Sequence, residues 1–207
     1  MIKILFYDFE VFQHDWLVVI MDTDTKETHV IVNDREKLIQ LYEQNKNNIW
    51  CGYNSRHYDQ YILKGIILGL DPYKINNHII VDNEPGWKYS NDFRTIQLYN
   101  YDVMTSYHGL KELEGFMGND IRESEVNFNI NRKLTPNELD QVIKYCKHDV
   151  EQTIEVFMNR IEEFESHLSL LKTFKLPLHY INKTKAQLSA IILGAVRQDH
   201  DDEFDIT

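Results

Sequence analysis

The sequence has few cysteines and no long apolar run, and both shortages limit what the protein can be. Its two cysteines, Cys51 and Cys146, form no C-x-x-C pattern, so we interpret both as free thiols in a reducing compartment. The longest late apolar run, residues 190–196, is far shorter than the ~20 residues that span a bilayer. These features predict a cytoplasmic protein that makes no contact with a membrane.

Positive charge is also scarce. The chain has 22 basic and 33 acidic residues, for a formal net charge of −11. A long basic surface for duplex DNA is therefore excluded, and any contact with nucleic acid must be local or mediated by a metal. The composition, 43% hydrophobic and 27% charged, is typical of a soluble globular domain.

Two acids interrupt the apolar run at residues 5–12. In a strand, side chains two residues apart share a face, so Asp8 and Glu10 project together. Two neighbouring carboxylates repel each other unless a cation lies between them, and oxygen ligands suit Mg²⁺ or Mn²⁺. The alternative is an edge strand whose acids face water.

The order of predicted elements indicates an α/β fold. Polar turns separate apolar segments, and helices are expected where apolar residues recur every third or fourth position. Residues 71–93 are expected to form an irregular surface segment, within which residues 79–81 could be a further strand. Strands are predicted at residues 5–12, 16–21, 28–32, 49–53 and 96–103, the first three as an antiparallel meander. Helices are predicted from the N-cap Asp34 to about residue 44, from about Asp59 to residue 70, and at 110–118.

Two capping boxes mark later helices. Thr135 as the N-cap, Pro136 at the first helical position and Glu138 at the third predict a helix that extends to about residue 164. A bend near His148 is possible. Thr184 and Gln187 predict a last helix to about residue 196. The acidic end, residues 201–207, is expected to be a solvated linker, since no partner ligands for a second metal site are spaced around it.

Tyr145 and Asp149 are four residues apart on the first of these two helices. Four residues turn a helix through about 400°, so the two side chains lie ~40° apart and can serve one site. A single tyrosine in a helix is usually part of the packed core, and a single aspartate usually faces solvent. Tyr145 and Asp149 therefore indicate a functional site only in combination with the other acids.

Together these residues resemble a known family. Asp8-Phe9-Glu10, then Asn54 with Tyr58-Asp59, then Tyr145 with Asp149 resemble, in order and spacing, the three motifs of DnaQ-like 3′–5′ exonucleases. The tyrosine variant of the four-acid class is favoured, because the position of the histidine variant's histidine is Lys144 here. The forms GYN-x-x-x-YD and YC-x-x-D look like proofreading domains of phage DNA polymerases.

The resemblance implies a ribonuclease H-like mixed five-stranded sheet flanked by helices, with a C-terminal helical extension. Residues 1–170 would form the exonuclease domain, and residues 171–207 a helical extension and acidic tail leading to a polymerase domain in cis. The substrate would be a single-stranded DNA 3′ end, hydrolysed with two Mg²⁺ or Mn²⁺ ions. The expected metal ligands are Asp8, Glu10, Asp59 and Asp149.

The same resemblance implies roles for the neighbours of these acids. Tyr145 would position the attacking water, because a phenol with a pKa near ~10 is a poor base. Asn54, Phe12 and Tyr58 are expected to contact substrate, Phe12 by stacking on the terminal base. Two alternatives stay open: a free-standing exonuclease of DNA or RNA, and a catalytically silent domain that binds nucleic acid or a partner.

Overall fold

A five-stranded mixed sheet with helices on both faces forms the centre of the protein, an α/β architecture. The computed structural model describes residues 3–104, 110 and 126–195. The strands are β1 Ile4–Val11, β2 Trp16–Asp22, β3 Thr28–Val32, β4 Ile49–Gly52 and β5 Tyr99–Asp102. They run in the order β3-β2-β1-β4-β5, so β1 is central.

The pairing of β1 divides the sheet into two halves. Strands β1, β2 and β3 form the predicted antiparallel meander. On its other side β1 pairs in parallel with β4, and β4 pairs in parallel with β5. Parallel neighbours need a crossover connection, and helices supply one between β1 and β4 and between β4 and β5. The coarse α/β prediction is therefore confirmed.

The helices are α1 Arg35–Asn45, α2 Asp59–Leu68, α3 Pro72–Asn76, α4 Pro136–Asn159, α5 Ile161–Thr173 and α6 Lys185–Ile192. Helices α1 to α3 cover one face of the sheet and α4 covers the other. Alternation along β1 separates two cores: Phe6 packs with α4, whereas Leu5, Tyr7 and Phe9 pack with α1 to α3. None of the helices in the described ranges is both long and apolar enough to cross a membrane.

Local capping chemistry explains where most helices begin. The Asp34 side chain accepts a hydrogen bond from the Lys37 amide at 3.0 Å, which starts α1 as predicted. Both predicted capping boxes are present, Thr135 with Glu138 and Thr184 with Gln187. The structure also contains α3, which the sequence reading missed although Asp71 followed by proline is an N-cap signal.

Four predicted elements differ from the structure. Residues 79–81 are not a strand but part of a π-helical turn, Asn77–Val81, that continues from α3. The strand predicted at 96–103 is limited to Tyr99–Asp102, because its partner β4 has only four residues. The last helix ends at Ile192 because Gly194 has a left-handed φ of 66°. The fourth is the helix expected to reach residue 164.

That helix breaks at Arg160, and α4 runs without interruption through His148. A guanidinium N–H of Arg160 donates to the carbonyl of Val103 at 3.0 Å, which ties the break to the end of β5. The break leaves Phe157 and Phe164 in edge-to-face contact, with 5.0 Å between ring centroids. The helix predicted at 110–118, apart from residue 110, and the tail at 201–207 lie outside the described residues.

The segment after α5 shares the core with the rest of the chain. The predicted boundary at residue 170 falls inside α5. Beyond it, Ile181 and Leu188 are fully buried in the core beneath α4. The Arg56 Nε–H also donates to the carbonyl of Asn182 at 2.9 Å.

Candidate metal centre

The first two acids lie on the central strand, where one edge of β1 is left without a strand partner. Pairing of β1 with β4 stops at Phe6, opposite Cys51. Asp8 and Glu10 follow on the face that Phe6 shares, towards α4. Asp8 is half-buried and Glu10 is buried.

Asp59 occupies the edge that β4 leaves open. Its Oδ1 atom accepts a hydrogen bond from the Phe9 amide at 3.0 Å, so the carboxylate takes the place of a strand partner between Asp8 and Glu10. A tight turn brings it there. Asn54 has a left-handed φ of 57°, and its carbonyl accepts from the amides of His57 and Tyr58. The next residue, Asp59, begins α2 as the sequence predicted.

Tyr145 and Asp149 approach from α4, which crosses β1 and β2. The side chains are one helical turn apart, and the Tyr145 hydroxyl is hydrogen-bonded to Asp149. Burial, followed by the negative charges of Asp149 and Glu10, raises the pKa of Tyr145 above its ordinary value. The phenol therefore stays protonated across the neutral range.

The mutual electrostatics of the acids shows that the structure brings all four together. Burial, and then the charges of Asp59, Glu10 and Asp149, raises the pKa of Asp8 well above its ordinary value. Burial likewise raises the pKa of Asp59 to about 7, despite the stabilising Phe9 amide. Without a cation, part of this cluster holds protons at neutral pH.

Cys146 belongs to the same cluster, although the sequence analysis interpreted it only as a free thiol. Ligand atoms of Asp8, Glu10 and Cys146 all lie within 4.8 Å of one another, and such a group can hold a metal ion. The thiol lies 3.4 Å from Asp8 Oδ2 and from the Asp8 carbonyl. The available signal was its spacing, three residues before Asp149 on one helix face.

The carboxylate of Asp102, which the sequence analysis did not single out, holds the backbone of the turn before Asp59. Asp102, at the end of β5, accepts hydrogen bonds from the amides of Arg56 and Met104, both at 2.9 Å. The bond from the Arg56 amide fixes the turn that leads into α2. The charge of Asp102 also contributes to the raised pKa of Asp59, after burial.

The three residues expected to contact substrate differ in exposure. Asn54 is exposed, in the turn that precedes Asp59. The Tyr58 hydroxyl donates to Asn76 Oδ1 at 2.8 Å, so this tyrosine fixes α3 against the start of α2. The Phe12 side chain is only 1% exposed and stacks on Phe128 at 4.9 Å, so the ring exposed to solvent is that of Phe128.

Comparison with models of known protein families gave no match to this chain. Comparison with curated proteins also gave no significant match. Function is therefore inferred from the geometry of the acid cluster and from the spacing of the motifs that supply it.

Proposed function

We propose that this chain is a metal-dependent 3′–5′ exonuclease that hydrolyses single-stranded DNA 3′ ends to nucleoside monophosphates. One observation carries the proposal: the carboxylate of Asp8 is surrounded by the charges of Asp59, Glu10 and Asp149. Four acids gathered around the centre of a sheet destabilise an empty site, and divalent cations remove that repulsion.

The donor set fits two Mg²⁺ or Mn²⁺ ions. Asp8, Glu10, Asp59 and Asp149 supply hard carboxylate oxygens, the ligands that these ions prefer. Burial raises the pKa of the Cys146 thiol well above its ordinary value, so it stays a protonated donor beside Asp8. When bound, two such ions supply an activated water and charge stabilisation for in-line phosphoryl displacement.

The protein's own groups orient the reactants. The Phe9 amide holds Asp59 against β1, and the Tyr145 hydroxyl is fixed by Asp149. Because its pKa is raised, Tyr145 acts as a hydrogen-bonding group that positions water and not as a base. The exposed ring of Phe128, stacked over Phe12, offers a face to the terminal base.

Topology supports the finer classification. A strand order of β3-β2-β1-β4-β5 with the first acids on the central strand agrees with a ribonuclease H-like fold. The motif resemblance favours a proofreading domain that acts with a polymerase domain in cis. A free-standing exonuclease of DNA or RNA would use the same four acids.

The deciding experiment is incubation of the purified chain with 5′-labelled single-stranded DNA and Mg²⁺ or Mn²⁺. We expect a ladder of products shortened one nucleotide at a time, which Asp8→Ala and Asp149→Ala abolish. Both variants should keep the wild-type fold, with equal or higher thermal stability without metal, because each removes a repelling charge. Asp140→Ala, an exposed acid of the same helix, is the matched control and should retain activity.

The outcomes separate the candidate functions. Hydrolysis that continues in excess EDTA, or in both acid variants, would reject the metal-dependent site. Preferential degradation of RNA would favour a free-standing ribonuclease. Binding without any hydrolysis would favour the silent binding domain.

A further inference from the structure

Helix α2, which begins at Asp59, also lines a cleft of about 910 Å³ that contains none of the candidate metal ligands. One wall is formed by α2 and the turn before it, the other by the segment between α3 and β5, and the end by the segment before α6. We call it the basic cleft. Its defining residues are Arg56, Lys64, Trp87, Arg94, Asn182 and Lys183.

The charge of the cleft is opposite to that of the whole protein. Four cationic side chains line it, from Arg56, Lys64, Arg94 and Lys183. The acidic side chain on its lining, Glu84, forms an ion pair with Lys88 at 2.8 Å. In a chain with a net charge of −11, this is a local concentration of positive charge suited to an anionic ligand.

The cation of Lys64 is destabilised by burial when no anionic ligand is bound. The Lys64 ammonium lies 5.9 Å from the centroid of the Tyr61 ring and 3.3 Å from Gln60 Oε1. Its burial lowers the pKa of Lys64 to about 8. A phosphate in the cleft would offset this desolvation by supplying an opposite charge.

An aromatic ring is held at the same cleft. The Trp87 side chain is 58% exposed, in contrast to buried Trp50 and half-buried Trp16. Its position is fixed by Gly86, where an added Cβ would lie 2.3 Å from the Tyr61 ring, so the turn packs directly on α2. The indole therefore remains at the cleft while its backbone is anchored.

Asn182, one of the lining residues, also holds a buried acceptor. The Oδ1 atom of Asn182 is buried and has no hydrogen-bond partner among the described residues. The backbone carbonyl of Asn182 already accepts a hydrogen bond from the Arg56 side chain. A nucleobase N–H can satisfy this acceptor if the Asn182 amide turns toward the cleft on binding.

We propose that the basic cleft is a binding site for single-stranded nucleic acid, with phosphates on the cationic side chains and a base stacked on Trp87. Cationic grooves with exposed aromatic rings are the usual means of holding single strands without sequence preference. The volume, about 910 Å³, exceeds what one nucleotide fills, so a short run of the strand is accommodated. Binding at this site requires neither metal nor hydrolysis.

The test is fluorescence anisotropy of a labelled oligothymidylate of about twelve nucleotides in EDTA at low salt. Trp87→Ala should weaken binding by about tenfold or more, and Trp87→Phe should retain most of the affinity. Arg94→Ala with Lys183→Ala should weaken binding and reduce the slope of log affinity against log salt by about 1.4. Intrinsic fluorescence of the wild type should be quenched, and Trp87→Phe should lose that response.

The matched controls are Phe174→Ala and the pair Lys37→Ala with Lys172→Ala, which alter an exposed aromatic ring and exposed lysines outside the cleft. They should leave the affinity unchanged. Equal affinities for the cleft and control variants would overturn the proposal. So would equally tight binding of inorganic polyphosphate that Trp87→Ala does not affect.

Asp149→Ala separates this inference from the exonuclease proposal. In EDTA the affinity of this variant for the oligonucleotide should still fall when Trp87→Ala is added. A chain that binds through the cleft but never hydrolyses DNA would contradict only the proposed activity. A chain that hydrolyses DNA but binds it equally well in cleft and control variants would contradict only the cleft.

Discussion

The thiol of Cys146 lies 3.4 Å from Oδ2 of Asp8, on the central strand of the sheet. This contact places a soft sulfur ligand among hard carboxylate oxygens. Burial, and then the charge of Asp8, raises the pKa of Cys146 well above its ordinary value, so the thiol is protonated at neutral pH when no cation is bound. Zn²⁺ and Cd²⁺ bind thiolate strongly and can displace that proton.

Replacement of this thiol should therefore change metal selectivity. We expect Cys146→Ala to weaken Cd²⁺ binding by about tenfold or more while Mg²⁺ binding changes little. Calorimetric titration with each ion measures both affinities without reference to activity. Cys51→Ala removes the other buried free thiol and should alter neither affinity. Equal Cd²⁺ affinities in the two variants would exclude Cys146 as a ligand.

The buried acids also predict how stability without metal depends on pH. The pKa of Asp59 is raised by burial to about 7 in the folded protein, against ~3.9 in an unfolded chain. Between these values the folded state binds more protons, so the free energy of unfolding falls as pH rises. Stability should decrease from pH 5 to pH 8, and saturating Mg²⁺ should restore it.

Asp59→Asn tests this dependence. The amide oxygen can still accept from the Phe9 amide, but the titrating group is gone. The difference in unfolding free energy between pH 5 and pH 8 should shrink by on the order of 2 kcal/mol in EDTA. Asp140→Asn, at an exposed position of α4, should leave the difference unchanged. Chemical denaturation at both pH values gives the comparison, and an unchanged difference in Asp59→Asn would contradict the assigned shift.

The sequence predicted the elements whose causes are local. The caps at Asp34, Thr135 and Thr184 depend on side chains within three residues of the helix start. Likewise, the spacing of Asp8 with Glu10 and of Tyr145 with Asp149 depends only on strand and helix periodicity. For this reason the acids could be named before their mutual positions were known.

Features that depend on distant partners could not be predicted in the same way. The length of β5 is set by β4, and the helix break at Arg160 by the carbonyl of Val103. The burial of Phe12 depends on Phe128, more than a hundred residues later. Cys146 could be interpreted only as a free thiol, since its contact with Asp8 is formed only when α4 crosses β1.

Phe12 is buried beneath Phe128, so the ring that can stack on a terminal base is that of Phe128. Phe128 is 43% exposed and stacks on buried Phe12 with an interplanar angle of 8°. If its outer face receives the terminal base, Phe128→Ala should raise the KM for a single strand by about 5- to 100-fold. Steady-state excision assays measure this, with Phe174→Ala as an exposed aromatic control. Equal KM values in the two variants would exclude Phe128 from the substrate site.

The choice between tyrosine and histidine in the mechanism depends on which side chain faces the acids. Tyr145 is hydrogen-bonded to Asp149 and senses the charges of Glu10 and Asp8. Tyr145→Phe keeps the ring but removes the hydroxyl to which we assign the positioning of water. Because positioned polar groups typically contribute ~10²–10⁴-fold, we expect a loss of about 10²-fold in single-turnover excision, with metal affinity little changed.

His148→Ala is the matched comparison one residue before Asp149. Adjacent helical residues point about 100° apart, so His148 should matter much less than Tyr145. Because the pKa of Tyr145 lies above its ordinary value, its ionisation should not appear in a rate profile between pH 6 and pH 9. Single-turnover rates of both variants across this range decide the matter. A crippled His148→Ala that also loses an ionisation from the profile, beside a fully active Tyr145→Phe, would make histidine the catalytic group and reject the tyrosine variant.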